Sequence, residues 1–135
     1  MQSNRIGYLL STFALGHLCS AEDWPTWRAD SERSGSTTGE LTAELHLQWT
    51  RDLGPQVPAW SEPRLNFDDR YQPIVVGQLM YVASSRTETV TALEVATGDV
   101  AWRYFTNGPV RFAPAHRAGK LYFGSDDGSF HVLDA

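Results

Sequence analysis

The chain has 135 residues, 41% hydrophobic and 20% charged, with a formal net charge of −5. That acidic balance, without a basic stripe interleaved with aromatics, argues against nucleic acid as a partner. Cys19 is the only cysteine, so a disulfide framework and a cysteine metal site are excluded, and the fold must be held by an apolar core or by closure of a ring.

In chain order, residues 6–18 are apolar and uncharged apart from His17, a run too short for a comfortable membrane span. Cys19-Ser20-Ala21 then offers the small residues that signal peptidase needs. Residues 1–21 therefore read as a secretory signal peptide cleaved after Ala21, which places the mature chain in the periplasm or outside the cell. The alternative is a lipoprotein acylated at Cys19, for which Leu18 is a poor preceding residue.

Residues 22–44 form an N-terminal arm. Asp23-Trp24-Pro25-Thr26-Trp27-Arg28 brings two tryptophans and an arginine together, and a polar, turn-rich run follows. Trp24 and Trp27 are read as anchors clamping a flank of the fold, with a sugar-binding aromatic platform as the alternative. Residues 45–53 come next, and Leu45-His46-Leu47-Gln48-Trp49-Thr50-Arg51 alternates with period two. That pattern predicts a half-buried strand, isolated in sequence and suited to closing a ring. Residues 54–70 are a loop, because Pro55, Pro58 and Pro63 exclude a regular ladder. Asp68-Asp69-Arg70 is expected to keep it wet, and Trp60, Leu65 and Phe67 to pin it to the surface. It is the best place to look for a binding surface, since long loops are often functional, although a packed, inert insertion is the favoured reading.

The strongest signal is a repeat. Pro73 recurs as Pro114 and Tyr81 as Tyr122 at one spacing, and Gln78-Leu79-Met80-Tyr81 lines up with Gly119-Lys120-Leu121-Tyr122. A period of about 40 residues built from short strands is the signature of β-propeller blades, four antiparallel strands to a blade. A sandwich or another all-β repeat is the alternative. Residues 71–106 form a complete blade, with strands at 71–76, Leu79–Ser84, Thr89–Glu94 and 100–104. The bend at Ala96-Thr97-Gly98-Asp99 uses Gly98 for a positive φ, and Val100 and Trp102 share a face. Asn107-Gly108-Pro109 turns into a truncated second blade, 107–135, with strands at 111–115, Lys120–Gly124 and 129–134. Its Asp127-Gly128 pair predicts a type I′ hairpin. The fold class is all-β, with about one and three-quarter blades.

Few residues offer chemistry. Asp126 and Asp127 are one adjacent acidic pair, which suits a turn better than a calcium loop. His46, His116 and His131 lack ligand spacing. Ser84-Ser85-Arg86 and Ser125-Asp126 recur at one blade corner, so architecture explains them before catalysis does. No nucleophile elbow or phosphate loop is present.

The stretch from Ala92 to Trp102 resembles the tryptophan-docking motif of PQQ-like (pyrroloquinoline-quinone-like) β-propeller repeat proteins, Ala-x-Asp-x-x-x-Gly-x-x-x-Trp. Ala92, Gly98 and Trp102 match it, while Glu94 stands where Asp is usual. The resemblance implies that Trp102 stacks over the peptide plane at a motif glycine. Quinoprotein dehydrogenases of this kind hold their cofactor with acidic, basic and aromatic residues from many blades, a set that cannot be placed here. No cofactor, metal or catalytic residue is therefore expected, and pyrroloquinoline quinone enters only by family analogy. The expected role is a non-catalytic interaction or scaffold module with a protein partner, similar to the propeller of the outer-membrane β-barrel assembly lipoprotein. The alternatives are the N-terminal part of a quinone-dependent dehydrogenase, and a carbohydrate-binding propeller using Trp24, Trp27 and Trp60. The chain is expected to be an N-terminal fragment of a ring whose remaining blades close it. Apolar faces bearing Val75, Leu79, Tyr81, Leu121 and Phe123 are expected to stay partly uncovered, with an open edge along 129–134.

Overall fold

The computed structural model describes residues 22–41, 43–65 and 68–135. The signal-peptide and Cys19 readings lie outside them, as does Phe67. Among the described residues no helix is long and apolar enough to cross a membrane.

The protein is all-β. Strands β1 (Ile74–Val76), β2 (Leu79–Ser84), β3 (Thr89–Glu94) and β4 (Val100–Phe105) form one antiparallel sheet in sequence order. Strands β5 (Ala115–Arg117), β6 (Lys120–Gly124) and β7 (Phe130–Asp134) form a second. Short hairpins make this order local. Gly77 (φ 58°) bends β1 into β2, and Ala118 (φ 50°) with Gly119 (φ 74°) does the same between β5 and β6.

Both inner strands are shorter than the sequence suggests. β1 covers only the end of 71–76, and β5 begins where the predicted 111–115 ends. Each ladder starts just after a proline, Pro73 or Pro114, because proline has no N–H to pair. The β6–β7 turn also differs from expectation. Of Asp127 and Gly128, only Gly128 (φ 85°) is left-handed, and its N–H bonds Ser125 O at 3.1 Å. That is a type I turn followed by a left-handed glycine, since a type I′ turn needs two positive φ values.

The repeat buries one core between the two sheets. Ile74, Tyr81, Ala83, Val90 and Ala92 from the first sheet meet Leu121 and Phe123 from the second, with Val110 of the connector between them. All are at most 5% exposed. Each large member stabilises the fold by about 1.5–3 kcal/mol through burial. Alternation sends Val82 and Leu93 to the other face of the first sheet, where Arg51, Asp52, Leu53 and Tyr71 lie beside them. Three of the five side chains expected to stay partly uncovered are covered instead. Tyr81 (2%), Leu121 (0%) and Phe123 (3%) are buried because the two sheets cover one another, and Val75 and Leu79 are half-buried. On the strands, the most exposed apolar side chains are Phe130 (71%), Phe105 (68%) and Val132 (50%).

One further expectation changes. The β3–β4 register shifts between Ala92, opposite Trp102, and Leu93, opposite Val100, which leaves Ala101 of β4 as the extra, bulged residue. Trp102 packs against the core while Val100 is exposed, so the two do not share one buried face. Residues 45–51, expected to pair only in closing a ring, form no ladder among the described residues, and Leu45 and Leu47 face solvent. Side chains of Trp49 and Arg51 hold this segment, and a period-two pattern cannot make a strand without a neighbour.

Candidate functional site

Antiparallel pairing puts the start of β1 and the end of β2 at one end of the blade. The β2–β3 and β6–β7 turns, the 54–73 loop and the 106–114 connector all gather there. Arg111, just past the Asn107-Gly108-Pro109 turn, sits at the centre. Its Nη1 donates to Asp68 Oδ2 and to Val57 O, both at 2.7 Å, and its Nε donates to Asp126 Oδ2 at 2.6 Å. Burial works against the Arg111 charge. The hydrogen bonds and Coulombic pull of Asp126 and Asp68 outweigh it, and its pKa lies above the usual guanidinium value.

Asp68 is fully buried, contrary to the expectation that Asp68-Asp69-Arg70 keeps the loop wet. Its Oδ2 also accepts the Ala59 N–H at 2.9 Å, which ties the middle of the loop to its end. At the start of the loop, Gln56 takes the place of a missing strand. Its Oε1 accepts from Ser85 N (2.9 Å) and Ser85 Oγ (3.0 Å), and its Nε2 donates to Ala83 O (3.3 Å). The loop is thus fastened by polar groups. Of the expected apolar pins, Trp60 is 57% and Leu65 48% exposed. The connector is sewn to the second blade as well. Asp126 N–H bonds Pro109 O at 2.9 Å, and Ser125 Oγ donates to Gly108 O at 3.0 Å. Gly108 is required there, since a Cβ would lie 2.8 Å from Asp127 N.

The N-terminal arm runs along the inner edges of both sheets. Trp24 pairs with Val75 of β1 through both backbone groups, and the next residue, Pro25, accepts the His116 N–H of β5 at 2.7 Å. Beyond this contact, Thr26, Trp27, Arg33, Gln72, Phe112, Ala113 and Ala115 line a cavity of about 650 Å³. The Arg28 and Arg33 guanidiniums lie 5.8 and 5.3 Å from the Trp27 ring centre.

The docking-motif residues divide into two groups. Ala92 is in the core, and Trp102 tilts onto Tyr81 with ring centres 5.8 Å apart. Gly98 is covered by a different tryptophan, Trp49. A Cβ on Gly98 would lie 2.6 Å from Trp49 Cδ2, Trp49 Nε1 donates to Val95 O at 2.9 Å, and Arg51 Nη1 donates to Gly98 O at 2.8 Å. Glu94 closes the same turn with its backbone, accepting from Gly98 N at 2.8 Å. Trp49 was legible as a candidate because Gln48-Trp49-Thr50-Arg51 resembles Ala101-Trp102-Arg103-Tyr104 at the end of the intact blade. Nothing in the local pattern marked Gln56, Asp68 or Arg111.

The other candidates are dispersed. Of Trp24, Trp27 and Trp60, only Trp27 lines the arm cavity. His131 stacks on Phe123, with ring centres 5.1 Å apart, and its Nδ1 lies 3.3 Å from Tyr104 Oη. His46 is exposed near Glu44. Asp126 holds Arg111, while Asp127 caps the turn by accepting from Ser129 N at 2.8 Å. That backbone bond keeps the Asp127 pKa below the usual carboxylate value. Among the described residues no group of three or more His, Cys, Asp or Glu is placed to hold a metal ion.

Two repeated antiparallel sheets, face to face and with their inner edges side by side, define the chain as blades of a β-propeller. The chain belongs to the PQQ-like repeat family whose model is described as outer membrane protein assembly factor BamB, matched over residues 26–135. It is also similar to the dehydrogenase subunit of a quinone alcohol dehydrogenase from Gluconobacter oxydans (strain 621H). The two are 30% identical over 129 residues, covering 84% of this chain and 16% of that relative. The chain thus spans less than a fifth of the length of the curated relative it matches.

That relative's name implies a quinone. At the loop-bearing end, Nη1 and Nε of Arg111 already serve Asp68, Val57 and Asp126.

Proposed function

We propose that this chain is part of an exported, non-catalytic propeller that docks a protein partner through the 54–70 loop. One observation carries the reading. The loop is held at both ends by buried polar anchors, Gln56 on Ser85 and Asp68 on Arg111, while it presents Val57 (49% exposed), Trp60 (57%) and Leu65 (48%) to solvent. Apolar side chains displayed on a fixed loop lose little freedom when a partner covers them, which favours docking. The apolar run before Cys19-Ser20-Ala21 supports export through a cleaved signal, with acylation at Cys19 as the alternative. The family description, an outer-membrane assembly factor, supports a protein partner and a periplasmic setting. The acidic charge disfavours nucleic acid.

The test is a photo-crosslinking residue at position 60 of the full-length protein in its native cells. A discrete protein adduct, lost with Leu65→Asp, is expected. Labelling no greater than from exposed Glu32 would reject the loop as the docking surface.

The similarity to a quinone alcohol dehydrogenase subunit favours a second reading, the N-terminal part of such an enzyme. Adding pyrroloquinoline quinone and calcium to the full-length protein and following dye reduction by alcohols separates the two. Turnover would select the enzyme.

A further inference from the structure

We infer that the arm cavity is a binding site for a small organic carboxylate with an apolar body, separate from the 54–70 loop. Its wall is amphipathic. Phe112, Ala113 and Ala115 supply an apolar side, Thr26 and Gln72 supply hydrogen-bonding groups, and Trp27, 41% exposed, supplies a ring face. A cavity of about 650 Å³ falls within the roughly 300–1,000 Å³ of sites that take ligands of drug-like size.

The charge at its mouth is positive, although the chain is acidic. Arg28 and Arg33 both approach the Trp27 ring, and neither forms a salt bridge among the described residues. Of the two carboxylates in this segment, Asp30 is taken by the Ser34 N–H and hydroxyl, and Glu32 forms no salt bridge with either guanidinium among the described residues. A guanidinium resting on an indole is held by its face, which leaves its N–H edges free for two parallel bonds to a carboxylate. Arg33 itself lines the cavity, so the charge is where a ligand would meet it.

The backbone reinforces this arrangement. Arg28 (φ 62°), Ala29 (φ 77°) and Arg33 (φ 57°) all adopt the left-handed conformation, which L residues avoid. Three such residues within six positions are a local strain that the surrounding contacts must hold, and strain of this kind concentrates at ligand sites. Here it belongs to the same short arm segment that carries both guanidiniums and Trp27. A bare inorganic anion would leave the apolar wall unused, and an uncharged apolar ligand would leave the guanidinium edges unmatched. The combination selects an aromatic or aliphatic carboxylate.

The experiment is calorimetric titration of the full chain with 2-naphthoate, its neutral counterpart 2-naphthalenemethanol, and acetate. Naphthoate should bind at one site, at least about tenfold tighter than the alcohol, as expected for one charge-assisted bond in a partly exposed setting, and acetate should not register. Arg33→Gln should abolish that preference, Arg33→Lys should restore part of it, and Trp27→Ala should remove both aromatic ligands. An unchanged circular dichroism spectrum shows that each variant is folded, and Arg28→Gln serves as a second charge variant if Arg33→Gln is not. Failure of naphthoate to bind, equal affinity for acid and alcohol, or undiminished preference in the folded charge variant would overturn the inference.

Discussion

The indole of Trp49 lies on Gly98, and Arg51 from the same segment donates to the Gly98 carbonyl at 2.8 Å. Residues 49 and 98 are far apart in sequence, and this contact holds the extended 45–53 segment against the first blade. Gly98 satisfies two demands at once: a left-handed φ of 74° and no Cβ beneath the ring. Gly98→Ala should therefore lower stability by about 2–4 kcal/mol, since the new methyl must displace the indole as well as strain the turn. Trp49→Phe keeps a ring but loses the bond to Val95 O, and should cost about 1 kcal/mol. Urea unfolding of both variants checks the order. A Gly98→Ala loss no larger than that of Trp49→Phe would show that the close contact is unimportant.

The Asp68–Arg111 pair should behave as a buried ion pair. Arg111→Met leaves the fully buried Asp68 carboxylate without its cation and should destabilise by about 3–5 kcal/mol. Adding Asp68→Asn should recover much of that loss, because the stranded charge disappears. A double-mutant cycle by chemical denaturation measures the coupling, and additive losses would contradict the pairing.

Tyr81 couples stability to alkaline pH. Burial pushes its phenol pKa above the usual value of about 10. The folded state therefore holds the phenolic proton more tightly than the unfolded state. The stabilisation is fully present below pH 10 and is lost as pH rises through the folded-state value. Tyr81→Phe should flatten the fall of melting temperature above pH 10 and leave neutral pH behaviour nearly unchanged. An identical alkaline profile would remove Tyr81 as the source.

A polypeptide of residues 22–135 should self-associate. β7 pairs only with β6 among the described residues, and its Phe130 and Val132 are 71% and 50% exposed beside an open ladder edge. Sedimentation should show concentration-dependent oligomers, with weakly cooperative melting. Phe130→Lys with Val132→Lys should shift the population toward monomer. A monodisperse monomer of the unmodified polypeptide would argue that this face is tolerated bare.

Much of the architecture was written locally. The recurrence of Pro73 as Pro114 and of Tyr81 as Tyr122 marked two copies of one blade, and β2, β3 and β6 lie at the bounds read from the sequence. Such strands lie between short hairpins, and their pattern carries its own register. Where the sequence reading stopped short, the deciding neighbour was distant. Residues 45–51 alternate like a strand, but whether they pair depends on a neighbour outside their own pattern. Asp68 looks like any loop acid, and its burial depends on Arg111 arriving from the next blade. The motif supplied a glycine and a tryptophan, but only three-dimensional packing decided that Gly98 is met by Trp49. The sequence by itself thus determined the repeat and the position of its central strands and hairpins, because these follow from side-chain pattern and backbone propensity. The tertiary structure alone decided which faces are covered, which charges are paired, and that Trp27, Arg33 and Phe112 meet around one cavity, because each depends on contacts between distant parts of the chain.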